Sequence, residues 1–108
     1  MRLREKLADD PALAEAVRLH MAGRLNDAIL SYQHLMRERP EDADVLHLCG
    51  FAAHPAGASA AAVTLIAAAI SFRGDDSEFH NHHAIALAGT EDHAAATQAF
   101  RKSIIFAA

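Results

Sequence analysis

Histidine is unusually frequent in this chain, at eight of 108 residues, and its imidazole can bind Zn, Ni or Cu. His80 and His83 are spaced i, i+3 and would share one face of a helix, where such a pair can chelate a metal ion. A complete site needs further ligands, and no carboxylate or cysteine stands at a firm ligand spacing. We therefore predict no metal and no other cofactor, while a His-based metal-binding protein remains an alternative.

The single cysteine and the paired acids do not form a catalytic set. Cys49 lies in the middle of a predicted helix on its core-facing side, whereas a reactive thiol needs exposure and a cationic neighbour or a helix N-terminus. The adjacent acids precede predicted helices, where carboxylates cap the first turn. These pairs are Asp9–Asp10, Glu41–Asp42 and Asp75–Asp76. No phosphate-binding glycine loop or nucleophile elbow occurs, so the sequence predicts a protein that is not an enzyme.

Composition and charge exclude several classes of partner. The formal net charge is −4, and the Lys and Arg residues are mixed with acids rather than gathered in the basic stripe of a nucleic-acid-binding surface. The longest apolar run, residues 60–70, is far shorter than the ~20 residues of a membrane span. One cysteine cannot form an intramolecular disulfide, so nothing indicates an oxidising compartment. We expect a cytoplasmic protein that binds neither nucleic acid nor membrane.

The elements that position these residues are predicted to be helices. The chain is 52% hydrophobic but only 6% aromatic, and its abundant alanine is the best helix former, which disfavours an all-β fold. The apolar periodicity predicts helices near residues 11–22, 26–38, 42–54, 59–72, 77–88 and 92–106. The candidate N-caps are Asp10, Asn26, Ser59 and Ser77.

These helices recur with a period of 34 residues. Shifting the sequence by this period aligns Tyr32 with Ile66 and Phe100. It also aligns small residues, which we predict to lie where paired helices cross. They are Ala16, Ala28, Ala62, Ala84 and Ala96. The period predicts a lead-in of residues 1–8 followed by repeats at residues 9–42, 43–76 and 77–108.

Residues 22–29, with Tyr32 and Pro40, together with residues 43–50 and 77–81, resemble tetratricopeptide repeats, over roughly residues 9–108. The resemblance implies an all-α, right-handed solenoid of three helix–turn–helix repeats, about six helices in all. It also implies a non-enzymatic protein–protein interaction module whose partner is a protein or peptide. An accessory array of a larger enzyme, such as a sugar-transferring one, remains an alternative.

In the family that the chain resembles, the first helix of each repeat lines a concave groove that binds a peptide or protein segment. The matched positions here are Leu13, Val17, His20, Met21, Asp44, His47, Phe51, His54, Glu78, Asn81 and Ile85. This set contains no Lys or Arg and does not match the basic and asparagine clamp that some members use for a C-terminal carboxylate. We therefore expect an apolar or mildly cationic segment. His82 and His93 are expected to be exposed.

Several residues depart from the family's pattern. Pro55 falls in the last turn of the helix predicted at 42–54, where it would remove a backbone donor and kink the helix. Gly74 stands where a proline is expected, and Glu91 replaces the turn glycine of the third repeat.

The C-terminal residues Ile104, Ile105 and Phe106 are apolar, although an array normally ends in a polar capping helix. Three explanations remain open: another copy of the chain covers them, a partner docks on them, or the chain is a fragment of a longer array. Self-association through these residues would make the protein a homo-oligomer.

Overall fold

The computed structural model describes residues 2–107, and within that range the chain forms seven α-helices and no strand. They are α1 (Arg2–Asp9), α2 (Pro11–Met21), α3 (Leu25–Glu38), α4 (Ala43–Ala53), α5 (Ser59–Phe72), α6 (Ser77–Gly89) and α7 (His93–Ala107). The all-α prediction is confirmed, and each of the six predicted helices is present. The additional helix α1 covers most of the predicted lead-in, for which no helix was predicted.

Each helix from α2 to α7 packs on its neighbours along the chain, so that α2–α3, α4–α5 and α6–α7 form successive pairs. The Cα atoms span 37 × 29 × 23 Å. None of the helices described combines the length and the apolar character that membrane crossing requires.

Small residues allow the helices to approach one another closely. The predicted crossing positions are all buried, at Ala16, Ala28, Ala62, Ala84 and Ala96. Gly50 of α4 continues this series, since a Cβ atom there would lie only 2.7 Å from Cγ1 of Ile66 on α5. The crossing prediction is therefore confirmed, and the repeated alanines mark where paired helices touch.

One aspartate of each acidic pair caps a helix, as predicted, and Asp92 caps α7 in the same way by accepting from the Ala95 N–H. Asp10, Asp42 and Asp76 each accept a hydrogen bond from a backbone N–H in the first turn of α2, α4 and α6. The predicted caps Asn26, Ser59 and Ser77 are wrong. The helices α3 and α5 begin after Arg24 and Ala58 without a side-chain cap, and Asp76 takes the place predicted for Ser77.

The turns between paired helices use left-handed backbone. Gly23 and Gly57 have φ of 79° and 93°, and Glu91, which replaces the third glycine, has φ of 67°. The kink predicted at Pro55 is wrong, because α4 ends at Ala53 and the proline lies in the following turn. There its missing N–H breaks no helical hydrogen bond.

Candidate functional site

The helices α2, α4 and α6 present one shared surface, which we call the groove face. Val17 of α2, Phe51 of α4 and Glu78 of α6 line a single cavity on it. These helices are the first members of their pairs, so the 34-residue period brings every second helix to the same side. From the sequence, the partner-binding residues were predicted to lie on this same surface.

Rings occupy the middle of the groove face. Phe51 stacks on His82 with ring centroids 4.0 Å apart, and the His47 ring lies beside the same His82 ring and parallel to it, with centroids 4.8 Å apart. His20 contacts Phe51 from α2 at 5.2 Å. The prediction that His82 is exposed is wrong, because its ring is half-buried in this stack. Its spacing of i+4 from Glu78, a predicted groove residue, is the signal that could have found it.

A hydrogen bond joins two of these rings: Nε2 of His47 lies 2.6 Å from Nδ1 of His82. One nitrogen must donate and the other accept, so the two imidazoles cannot both be fully protonated. Burial, and then the nearby His82, lower the pKa of His47 to about 3. Burial also lowers the pKa of His82 and of His20, whose Nδ1 lies 3.0 Å from the Tyr32 hydroxyl. At neutral pH His20, His47 and His82 are therefore uncharged.

Phe51 and His82 together separate two cavities on the groove face. The larger, of about 190 Å³, is almost wholly apolar, and its other lining residues are Gly50, His54, Pro55, Ile66 and Ile85. The smaller, of about 150 Å³, is also lined by Leu3, Val17, His20, Met21, His47, Leu48 and Glu78. Phe51 is 40% exposed between them, so an apolar ring stands in solvent at the centre of the face. Neither cavity is lined by Lys or Arg among residues 2–107.

Three predicted groove residues lie elsewhere. Leu13 is fully buried in the core beneath α2 and has no surface with which to contact a partner. Asp44 is buried and forms ion pairs with Lys6 and Arg73. Asn81 lines a separate cavity between α6 and α7.

The two candidate metal ligands, His80 and His83, lie in different surroundings. His80 is buried, and its Nε2 donates a hydrogen bond to the Gly74 carbonyl oxygen 2.7 Å away. His83 lines a cavity of about 250 Å³ bordered by α5 and α7, beside Lys102. In the part of the chain that the structure describes, no three His, Cys, Asp or Glu side chains are placed to hold a metal ion.

Two further predictions concern Cys49 and the C-terminal helix. Cys49 is buried, as expected, and burial raises the pKa of its thiol to about 11.

Ile104 and Ile105 are 72% and 66% exposed on α7. Phe106 is also exposed, although its ring stacks on His80 at 5.2 Å. The end of α7 thus carries a strongly apolar surface.

No family model matches the chain, and no curated protein matches it either. Solved structures do match. A crystal structure of MamA aligns with a TM-score of 0.85 at 20% identity, over 95% of this chain and 63% of MamA. The first tetratricopeptide domain of Spaghetti (RPAP3), bound to the HSP90 peptide SRMEEVD, aligns at 0.85 and 13% identity, over 88% and 75%. A chain of the CopN–Scc3 complex aligns at 0.82 and 16% identity, over 88% and 56%.

The chain spans less than two thirds of the length of the MamA and CopN–Scc3 chains that it matches, at 63% and 56%. At these sequence identities the likeness concerns the fold. The predicted all-α solenoid of tetratricopeptide-like repeats is confirmed, with α1 as one helix more than expected.

Proposed function

We propose that this chain, which has the tetratricopeptide-repeat fold, is a non-enzymatic interaction module that binds a peptide or protein segment on its groove face. The observation that carries the proposal is the exposed ring of Phe51 between two cavities. A large apolar side chain held in solvent by a rigid scaffold typifies a binding surface, because interface energy concentrates on buried aromatic anchors.

The chemistry of the groove face supports an apolar segment as the ligand. The larger cavity is apolar, and His20, His47 and His82 are neutral at physiological pH because burial lowers their pKa. Glu78 provides a carboxylate in the lining of the smaller cavity, which favours a ligand with a positive charge beside its apolar residues. The RPAP3 domain of similar fold is described as bound to a peptide, which supports the same mode of use here.

The residues of the chain give little support to catalysis. The thiol of Cys49 is buried with a pKa of about 11, so it is not a thiolate at neutral pH. The aspartates Asp10, Asp42 and Asp76 are engaged as helix caps. A single buried cysteine also agrees with the cytoplasm, where we place the protein.

Self-association through α7 is the second part of the proposal, with another copy of the chain as the occupant. Tyr32 on α3 and Ile66 on α5 are buried, and each of these helices is followed by a further helix of the array. Phe100, at the matched position of α7, is exposed. Phe100 and Ile104 lie on the same face of α7, one turn apart. Light scattering across a concentration series should show a dimer that Ile104→Glu dissociates. A wild-type chain that stays monomeric at high concentration would remove this part of the proposal.

Selection of phage-displayed peptides on the full chain tests groove binding. Fluorescence anisotropy then compares a selected peptide on the wild type and on Phe51→Ala. We expect at least about tenfold weaker binding to the variant, since an aromatic anchor typically contributes more than 1.4 kcal/mol. Phe72→Ala is the matched control, because Phe72 is 51% exposed on α5 but lines neither groove cavity.

Equal binding to wild type and Phe51→Ala, or a comparable loss in Phe72→Ala, would overturn the groove as the binding surface. Circular dichroism of both variants verifies that each remains folded. If no peptide is selected at all, the groove function fails as well.

A further inference from the structure

The helix α1 lies on the groove face instead of extending beyond the end of the array. Leu3 of α1 lines the smaller groove cavity together with residues of α2, α4 and α6, among them Phe51 and His82. Leu3 and Leu7 both pack against the core that α2, α3 and α4 share. Part of the groove face is therefore already covered by a segment of the same chain.

An ion-pair cluster fixes α1 in this position. The Lys6 ammonium lies 2.6 Å from Oδ1 of Asp42 and 3.1 Å from Oδ2 of Asp44, at the start of α4. Leu3, Lys6 and Leu7 are spaced i, i+3, i+4 and share one helix face, while Arg4 and Ala8 are exposed. The contact surface of α1 consists of two aliphatic side chains four residues apart with a cation between them.

The contacts of α1 would allow it to leave the groove face and bind there again. A helix of eight residues has too few turns to be stable in water by itself, so α1 depends on these contacts for its order. Departure of Lys6 would not leave a buried charge unpaired, because Arg73 Nη1 stays 2.9 Å from Asp44. Asp42 likewise keeps its hydrogen bonds to the first turn of α4. Leu3 and Leu7 are only partly buried where they stand.

We propose that α1 is a built-in occupant of the groove face, and that the partner which displaces it is an amphipathic helix of the same chemistry. Such a helix carries two aliphatic side chains four residues apart and a lysine between them on the same face. This inference rests on the proposed function, and it specifies the ligand class and the segment that regulates access. The free site includes the smaller cavity, with Glu78 at its edge as a further partner for a cation.

A probe made from α1 itself tests the inference. The probe is a fluorescein-labelled peptide with the sequence of residues 1–10, held helical by a hydrocarbon bridge that replaces the side chains of Glu5 and Asp9, both of which face solvent in α1. Fluorescence anisotropy measures its binding to the full-length wild type and to a full-length chain carrying Leu3→Ser and Leu7→Ser. Removing the internal competitor should tighten binding at least about tenfold, because apparent affinity scales with the fraction of open sites.

Two further variants make the result specific. Lys6→Glu keeps both leucines but places a carboxylate against Asp42 and Asp44, so it should also open the site, and it serves if the serine variant does not fold. Arg4→Ser with Ala8→Ser alters the exposed face of α1 and should bind the probe as the wild type does. A probe that itself carries Lys6→Glu should bind the opened chain at least about tenfold more weakly than the parent probe.

Equal binding of the probe to wild type and to both opened chains overturns the inference, and so does the absence of binding to all of them. This failure is distinguishable from failure of the groove function. A phage-selected peptide that binds wild type and opened chains equally, but loses affinity in Phe51→Ala, would reject α1 as the occupant and leave groove binding intact.

Discussion

His47 and His82 lie within 5° of parallel and share a hydrogen bond of 2.6 Å across two neighbouring helices of the groove face. The pair also connects the core to the surface, because His47 rests on the buried Phe79 while His82 supports the exposed Phe51. Folding thus places the uncharged imidazole of His47 where protonation would destabilise the folded state. The consequence is a dependence of stability on pH.

Acid should destabilise the protein through His47. Its pKa is about 3 in the folded chain and about 6.5 when unfolded, so between these values the unfolded state binds more protons. The contribution of His47 to the unfolding free energy is therefore fully present above pH 6.5 and falls as the pH is lowered towards 3. Between pH 7 and pH 5 we expect this group to contribute a loss on the order of 2 kcal/mol. Urea denaturation at both pH values measures it.

His47→Gln should reduce this pH dependence by the contribution of His47, whereas His20 and His82, whose pKa values burial also lowers, keep theirs. His93→Gln is the control, since His93 is exposed at the start of α7. The same loss between pH 7 and pH 5 in wild type and His47→Gln would show that other groups cause it.

Asp76 should contribute far more to stability than the adjacent Asp75. Asp76 accepts hydrogen bonds from the backbone N–H groups of Glu78 and Phe79 and lies 3.3 Å from Arg73, whereas Asp75 is exposed. Loss of such a cap typically costs about 1–2 kcal/mol, so Asp76→Ala should lower the unfolding free energy by that amount. Asp75→Ala should change it by less than about 0.5 kcal/mol. Equal effects in chemical denaturation would contradict the assignment of the cap.

Glu91→Gly should stabilise the protein. Glu91 has φ of 67° in the turn between α6 and α7, a backbone region that a residue with a Cβ occupies at a cost of about 1 kcal/mol. Glycine removes this strain, so the thermal midpoint should rise by roughly 4 °C. Glu91→Ala is the comparison, because alanine retains the Cβ and should leave the midpoint nearly unchanged. A lower midpoint for the glycine variant would indicate that the Glu91 side chain has a stabilising role.

The sequence was sufficient where local patterns determine the structure. The 34-residue period predicted the crossing positions such as Ala28 and Ala62, because close helix packing tolerates only small side chains there. The acidic pairs predicted the caps Asp42 and Asp76, since a carboxylate before a helix satisfies otherwise unpaired N–H groups. In both cases the interacting residues are near one another in the chain: the crossing residues lie on consecutive helices, and each cap lies beside its own helix.

The sequence was insufficient where distant residues determine the structure. The helix α1 depends on pairs such as Lys6–Asp42, which are 36 residues apart, and the helix start at Asp10–Pro11 gave no sign of a helix before it. His82 was misplaced because it lies one residue out of the 34-residue register that relates His47 to Asn81. The stack on Phe51 depends on the rotation of α6, which periodicity alone does not determine.

Gly50→Ala tests how closely α4 and α5 are packed. The new Cβ would lie 2.7 Å from Cγ1 of Ile66 and 3.2 Å from the carbonyl oxygen of Ala62. Alanine favours a helix over glycine by up to about 1 kcal/mol, whereas overpacking a core costs about 1–3 kcal/mol. Because a backbone atom is among the contacts, we expect overpacking to dominate and the unfolding free energy to fall by about 1–2 kcal/mol.

Two comparisons make the Gly50 experiment specific. Gly74→Ala should be nearly neutral, since the nearest atom to a Cβ there is the Ile70 carbonyl oxygen at 3.4 Å. In an Ile66→Ala background, Gly50→Ala should cost less than in the wild type, because the clashing Cγ1 is gone and only the contact with Ala62 remains. Urea denaturation of the four chains of this double-mutant cycle measures the coupling. Additive effects would mean that α5 shifts to accommodate the methyl group, and that the close approach at Gly50 is not required by the fold.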